Sequence, residues 1–142
     1  MSKHRILIID DERPMTRMVR LNLEATGRYE VREENVSANA LTTAREFRPD
    51  LVLLDVIMPG ADGGEIAARL KNDPVLGRVP VVFLTATVSP REAGNRGLMS
   101  AGMKFLAKPV SLATLVACIE EFLGKPAAGE TPAAKPVGEK PV

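Results

Sequence analysis

Four short apolar runs, each followed directly by polar residues, constrain the fold of this chain most strongly. The runs and the residues that follow them are Arg5-Ile6-Leu7-Ile8-Ile9 before Asp10-Asp11, Leu51-Val52-Leu53-Leu54 before Asp55, Val81-Val82-Phe83-Leu84 before Thr85, and Phe105-Leu106-Ala107 before Lys108-Pro109. Short apolar runs that alternate with helical patterns predict strands of a buried parallel sheet. Ligands of such sheets bind outside the carboxyl ends of the strands. We therefore expect these polar residues to meet at one rim and form a site.

The segments between these runs complete an alternating pattern. Residues Tyr29 to Glu33 alternate apolar and polar side chains, which is typical of a half-exposed edge strand. Helical spacing of apolar residues follows each predicted strand. Five strands alternating with five helices predict a three-layer α/β sandwich with right-handed crossovers.

Capping and helix-breaking residues predict where the helices begin and end. The signals are Pro14 and Gly27 around the first helix, Ser37 and Pro49 around the second, Gly63-Gly64 in a loop before the third, Ser89-Pro90 at the start of the fourth, and Ser111 before the fifth. The fourth helix also contains Gly94, Asn95 and Gly97. Each glycine costs a helix roughly 1 kcal/mol relative to alanine, so we expect this helix to be the least stable.

Composition excludes several classes of protein. The formal net charge is +1, and basic residues are interspersed with acidic ones, so no direct contact with nucleic acid is expected. No apolar stretch is long enough for a signal peptide or a membrane span. The single Cys118 has no partner for an internal disulfide, which fits a cytoplasmic location, and its helical spacing next to Leu115 predicts a packing role. His4 is expected to be a solvent-exposed residue near a frayed terminus.

The character of the chain changes after Gly124. Residues 125–142 contain recurrent Pro and Ala, balanced charges and no aromatic residue. Such a segment buries too little apolar surface to fold. We therefore expect a folded domain over residues 1–124 and a disordered tail or linker over residues 125–142.

The order of these motifs resembles the receiver domain of bacterial two-component response regulators over residues 4 to 124. The resemblance rests on Asp10-Asp11-Glu12, on Pro49-Asp50 and Asp55 leading into Met58-Pro59 and Asp62-Gly63, on Thr85-Ala86, and on Lys108-Pro109. It implies a flavodoxin-like parallel sheet with the strand order 2-1-3-4-5. It also implies a signalling domain rather than an enzyme, with Asp55 as phosphoacceptor, Thr85 and Phe105 as switch residues, and the main-chain carbonyl of Ile57 as a metal ligand.

The chemistry of the side chains supports these implied roles. A carboxylate that accepts a phosphoryl group must be an exposed nucleophile at a strand end, as is predicted for Asp55. Asp10 and Asp11 would repel it unless a divalent cation neutralised them, and oxygen ligands beside a phosphate favour Mg²⁺. Lys108 offers a positive charge and Thr85 a hydroxyl donor to phosphoryl oxygens.

Three functions remain in competition at this point. The first is a receiver that takes a phosphoryl group from a histidine kinase or a histidine phosphotransfer protein and then changes its affinity for an unknown downstream protein. The second is a Mg²⁺-dependent phosphohydrolase with an aspartyl-phosphate. That class needs its nucleophile on the first strand with another Asp two residues on, whereas Asp10 and Asp11 are adjacent here. The third is an unphosphorylated interaction domain on the same fold.

The resemblance also suggests how such a receiver would behave. Ile57 and Thr87 occupy the positions that most often orient the hydrolytic water, and neither is a strong base, so slow self-dephosphorylation is expected. The predicted fourth helix, the fifth strand and the outer face of the fifth helix are expected to form the partner surface. DNA-binding regulators that dimerise through the fourth helix, fifth strand and fifth helix often carry acidic residues just before the switch aromatic. Here Met103-Lys104 precede Phe105, which disfavours dimerisation through these elements.

Overall fold

The computed structural model describes residues 3–58, 61–85, 104–108 and 110–124, with residues 57, 61 and 62 described by their backbone. Five parallel strands form the central sheet: β1 (His4–Ile9), β2 (Tyr29–Glu34), β3 (Leu51–Asp55), β4 (Val81–Thr85) and β5 (Lys104–Ala107). Their order across the sheet is β2-β1-β3-β4-β5. This confirms the predicted 2-1-3-4-5 arrangement.

The strands are separated in sequence by helices, and four of these are described: α1 (Arg13–Ala25), α2 (Ala40–Phe47), α3 (Gly63–Asn72) and α4 (Leu112–Leu123). Alternate side chains of β1 enter different cores. Leu7 and Ile9 pack in a cluster that includes residues of α2 and α3, whereas Ile6 and Ile8 pack with residues of α1 and α4. Burial of each such side chain contributes about 1.5–3 kcal/mol. The sheet is thus covered on both faces, and the predicted three-layer sandwich is confirmed.

Several predicted helix ends are also confirmed. Pro14 lies in the first turn of α1, where its missing N–H costs nothing. Gly27 follows the end of α1 with a φ of +78°, a left-handed conformation that glycine adopts without strain. Ser111 precedes α4, and its hydroxyl oxygen accepts a hydrogen bond from the Thr114 N–H at 3.1 Å.

Two predicted helix starts were wrong. Ser37 does not cap α2, because Ser37–Asn39 form a 3₁₀ turn in which the main-chain oxygen of Ser37 accepts the Ala40 N–H. The predicted loop before α3 contains a small hairpin of two strands, Ile57–Met58 and Ala61–Asp62. Since the Gly63 N–H donates to the main-chain oxygen of Val56 at 2.8 Å, α3 begins at Gly63 itself.

Three side-chain expectations have mixed outcomes. Cys118 is a buried free thiol that packs in the α1/α4 core, as predicted. His4 is half-buried rather than exposed, because β1 begins at His4 and its N–H donates to the main-chain oxygen of Arg28. Leu112 and Phe122, two members of the predicted apolar stripe of the last helix, are exposed, because the stripe is wider than the face of α4 that meets the sheet.

Some predictions fall on residues that the structure does not describe. These are the helix that would begin at Ser89-Pro90, the residues Ala86 and Thr87 after β4, Pro59-Gly60, Pro109, and the tail at residues 125–142. Within the described residues, no helix has the length and apolar character needed to cross a bilayer.

Candidate functional site

The polar residues predicted to share a rim do share one. Strand register places the carboxyl ends of the inner strands at the same level: Ile9 lies beside Leu54, and Asp55 lies beside Leu84. Asp55 is the last residue of β3, and Thr85 is the last residue of β4. Asp10-Asp11 follow β1, and Lys108 follows β5. The parallel sheet thus gathers side chains that are far apart in sequence.

Asp10, Asp11 and Asp55 form an acidic cluster. One carboxylate oxygen of each lies within 4.8 Å of the others. Asp10 and Asp55 are buried, whereas Asp11 is exposed. The predicted exposure of Asp55 was therefore wrong, because Asp55 ends a central strand that is flanked on both sides by neighbouring strands. Three negative charges this close repel one another, so the cluster requires a cation beside it.

The residues of the acidic cluster fit a magnesium ion. Hard carboxylate oxygens are the ligands that Mg²⁺ prefers. The buried Oδ2 of Asp10 forms an ion pair with Nζ of Lys108 at 2.7 Å, and a carboxylate oxygen in such a pair still has a second lone pair for a metal. The main chain of Ile57 lies two residues after Asp55 and pairs with Asp62 in the small hairpin. Mg²⁺ is also the cation that the resemblance to receiver domains implies for these residues.

Lys108 supplies positive charge to the acidic cluster. Its Nζ lies 2.7 Å from Oδ2 of Asp10 and 3.3 Å from Oδ1 of Asp55. Burial disfavours the charged ammonium, but its interactions with Asp10 and Asp55 outweigh that effect and raise the pKa of Lys108 above its usual value. Lys108 therefore stays protonated across the physiological pH range.

Two residues near the acidic cluster were not predicted as part of the site. Glu12 is exposed, and its Oε1 lies 3.3 Å from Nζ of Lys108, a contact across 96 positions of sequence. Gly63 lies close to the end of β3, where a Cβ would be 2.4 Å from the main-chain oxygen of Asp55. The sequence motif Asp62-Gly63 could have indicated this close approach, whereas nothing in the sequence pairs Glu12 with Lys108.

Thr85 and Phe105 lie on neighbouring strands, Thr85 at the rim and Phe105 two residues before the end of β5. Thr85 is buried, and its main-chain oxygen accepts the Lys108 N–H at 2.9 Å. Phe105 is half-buried and stacks on Phe83, with ring centroids 4.8 Å apart and ring planes at 22°. The sequence did not indicate this stack, which follows from the register that sets Phe83 beside Phe105.

The chain is similar to known signalling proteins over most of its length. The sequence profile of the response regulator receiver domain matches residues 6–120. The phosphate regulon transcriptional regulatory protein PhoB of Pseudomonas aeruginosa is 35% identical over 133 residues, which cover 94% of this chain and 57% of PhoB. The polar-differentiation response regulator DivK of Brucella anthropi is 31% identical, over 84% of this chain and 95% of DivK.

A solved structure supports the same assignment. A response regulator of Chloroflexus aurantiacus superimposes with a TM-score of 0.75 at 30% identity, covering 87% of this chain and all of that one. The chain spans only about half the length of PhoB. With its 2-1-3-4-5 sheet and the carboxylates and lysine at the rim, it belongs to the family of response regulator receiver domains, which are signalling domains of two-component systems.

Proposed function

We propose that this receiver accepts a phosphoryl group on Asp55 from a phosphohistidine of a histidine kinase or a histidine phosphotransfer protein. One observation carries the proposal. A nearly buried carboxylate at the end of β3 lies 3.3 Å from a lysine ammonium and within 4.8 Å of two further carboxylates. That arrangement provides a nucleophile, a fixed positive charge and a set of metal ligands at one point.

The transfer makes one bond and breaks another. A carboxylate oxygen of Asp55 attacks phosphorus, and the phosphorus–nitrogen bond to the donor imidazole breaks. The nitrogen keeps the bonding electron pair and takes up a proton from solvent. Asp10, Asp11, Asp55 and the main-chain carbonyl of Ile57 would hold Mg²⁺, which when bound neutralises the charge that gathers on the phosphoryl oxygens.

Lys108 and Thr85 assist by binding the transferred group. Lys108 remains positively charged, so it can exchange a contact with a carboxylate for one with a phosphoryl oxygen. Thr85 ends β4 with a hydroxyl donor for another phosphoryl oxygen. Both side chains bind better once the phosphoryl group is present, so they favour the phosphorylated state.

The phosphorylated state is read out through Thr85 and Phe105. Thr85 moves toward the phosphoryl group, and the space it leaves allows the Phe105 ring to turn. Phe105 is half-buried and packs on Phe83 at the edge strand β5, where a ring rotation changes the surface that a partner meets. The downstream target is a protein that binds this altered surface.

Residues 1–124 form the receiver in this proposal, and residues 125–142 form a tail or a linker to another domain. Both arrangements have precedent among the relatives. DivK is matched over 95% of its length, whereas PhoB continues well beyond the matched region. A longer protein would use the tail to connect the receiver to an output domain.

Transfer of radiolabel from acetyl phosphate or a phosphorylated histidine kinase, with Mg²⁺ present, tests the acceptor. The chain should become labelled, and Asp55→Asn should abolish the label. Asp50→Asn is the matched control, because Asp50 lies just before the opposite end of β3 and its carboxylate accepts the Arg5 N–H at 2.7 Å. Undiminished labelling of Asp55→Asn, or equal loss in both variants, would contradict the assignment.

A further inference from the structure

The main chain of Asp10 is held on both sides by the segment that ends β2. The Asp10 N–H donates to the main-chain oxygen of Glu34 at 3.1 Å. The Asn35 side-chain amide donates to the main-chain oxygen of Asp10 at 2.8 Å. That oxygen belongs to the peptide that joins Asp10 to Asp11, so its direction determines where the Asp11 carboxylate can reach.

Asn35 is itself held in place by α1. The same Nδ2 donates to the hydroxyl of Thr16 at 2.9 Å, and Oδ1 accepts from the Arg13 guanidinium at 3.3 Å. Thr16 is completely buried. The Asn35 amide therefore has partners for both its nitrogen and its oxygen, which fixes its orientation.

The Thr16 hydroxyl has two acceptors, Oε1 of Glu33 at 2.7 Å and the main-chain oxygen of Arg13 at 3.1 Å, and the Arg20 guanidinium donates to Oε2 of Glu33 at 2.5 Å. The Thr16 hydroxyl is therefore a donor to both the Glu33 carboxylate and the Arg13 main-chain oxygen. Burial favours the neutral acid, but the bonds from Arg20 and Thr16 outweigh it and lower the pKa of Glu33. An ionised Glu33 can only accept, so Thr16 presents a lone pair to Asn35, and Asn35 presents its N–H groups to Asp10.

We propose that Asn35 and Thr16 are positioning residues that set the direction of the Asp10–Asp11 peptide and so determine the affinity of the acidic cluster for Mg²⁺. The inference rests on the proposed function of that cluster as a metal site. Asp11 is exposed, and one of its carboxylate oxygens lies close to Asp10 and Asp55. The Asp10–Asp11 peptide, held by Asn35, directs the Asp11 carboxylate toward them. Metal sites tolerate displacements of only about 0.5 Å, and loss of an outer hydrogen bond weakens metal binding by about 10–100-fold.

Calorimetric titration of the full chain with MgCl₂, together with thermal unfolding in EDTA, tests this proposal. Asn35→Ala should bind Mg²⁺ about 10-fold more weakly, and Thr16→Val several-fold more weakly. Thr16→Ser keeps the hydroxyl and should restore affinity to within about twofold of the parent, whereas a loss of packing alone would not be rescued in this way.

Thr26→Val is the matched control. Thr26 lies at the other end of α1, where its hydroxyl donates to the main-chain oxygen of Leu23 at 2.7 Å. This variant should unfold at a lower temperature but bind Mg²⁺ within about twofold of the parent. Parent-like affinity in folded Thr16→Val or Asn35→Ala, or an equal loss in Thr26→Val, would overturn the positioning role alone. A parent chain that binds no Mg²⁺ would overturn both this role and the proposed metal site.

Discussion

The ammonium nitrogen of Lys108 lies 2.7 Å from Oδ2 of Asp10, so a residue after the edge strand β5 neutralises a completely buried carboxylate after β1. The same ammonium lies 3.3 Å from Oδ1 of Asp55. Lys108 thus neutralises part of the negative charge of the acidic cluster. Mg²⁺ bound at the acidic cluster would neutralise the same carboxylates. The Lys108 ammonium would then be available for a phosphoryl oxygen.

Replacement of Lys108 by methionine should therefore destabilise the domain mainly when Mg²⁺ is absent. Removal of one partner of a buried ion pair costs about 3–5 kcal/mol, and the lower end applies because Lys108 keeps some exposure. Saturating Mg²⁺ should recover most of that loss. Denaturant unfolding of the parent and Lys108→Met, each in EDTA and in MgCl₂, measures the difference.

Lys104→Met is the control for Lys108→Met. Nζ of Lys104 lies 2.7 Å from Oε1 of Glu121, which is exposed, so this pair contributes only about 0–1 kcal/mol. Lys104→Met should cost little in both solutions. If Lys108→Met lost the same free energy of unfolding with and without Mg²⁺, Lys108 would not substitute for the cation.

Phosphorylation should change the rotamer of Phe105. The ring now stacks on Phe83, an arrangement worth about 0.5–1.5 kcal/mol beyond the buried area, which a bound phosphoryl group can overcome. Crystal structures with and without beryllofluoride, a mimic of the phosphoryl group, should differ in this ring and in the Thr85 side chain. An identical Phe105 rotamer in both structures would eliminate the switch, and Thr85→Ala should abolish the difference.

Substitution of Gly63 by alanine should slow the phosphorylation of Asp55. The alanine Cβ would lie 2.4 Å from the main-chain oxygen of Asp55 and 2.8 Å from Cα of Val56, so the backbone at the end of β3 must shift. We expect slower labelling from acetyl phosphate and a loss of about 1–3 kcal/mol in stability. Gly77→Ala is also crowded, at 2.9 Å from the main-chain oxygen of Lys71, but should leave labelling unchanged. Parent-like labelling of Gly63→Ala would show that the close approach has no functional role.

Acid should weaken the domain partly through Glu33. Burial raises the pKa of Glu33, but the hydrogen bonds from Arg20 and Thr16 together lower it by more. The pKa of Glu33 therefore lies below its ordinary value of 4.5. A group with a lowered folded pKa contributes stability above its unfolded pKa and loses it as pH falls toward the folded pKa. Unfolding free energies measured from pH 7 to pH 3 should fall less steeply for Glu33→Gln than for the parent. Equal slopes would contradict the contribution of Glu33.

The sequence predicted the sheet and the rim because both depend on short-range patterns. Apolar runs identify buried strands, and parallel strands deliver their last residues to one edge, so Asp10, Asp55, Thr85 and Lys108 were expected together. The contacts between side chains were not predictable in the same way. Glu12 meets Lys108, and Phe83 meets Phe105, because of strand register and loop paths that local patterns do not encode.

Local competition between hydrogen bonds explains the misplaced helix starts. Ser37 has the chemistry of a cap, but its main-chain oxygen satisfies the Ala40 N–H in a 3₁₀ turn instead. Gly63 has poor helix propensity, yet the bond from its N–H to Val56 begins α3 there. In both cases a main-chain hydrogen bond over a short stretch of sequence overrides the preference of the individual residue.

The acceptor residue is tested most directly by chemical mapping of the phosphorylated chain. Borohydride reduces an aspartyl-phosphate to homoserine, so peptide mass analysis after reduction identifies the residue that carried the phosphoryl group. Homoserine at position 55 and at no other position is the predicted result. Reduction at Asp10 or Asp11, or a phosphoryl group that borohydride does not release and that maps to His4, would contradict the assignment of Asp55.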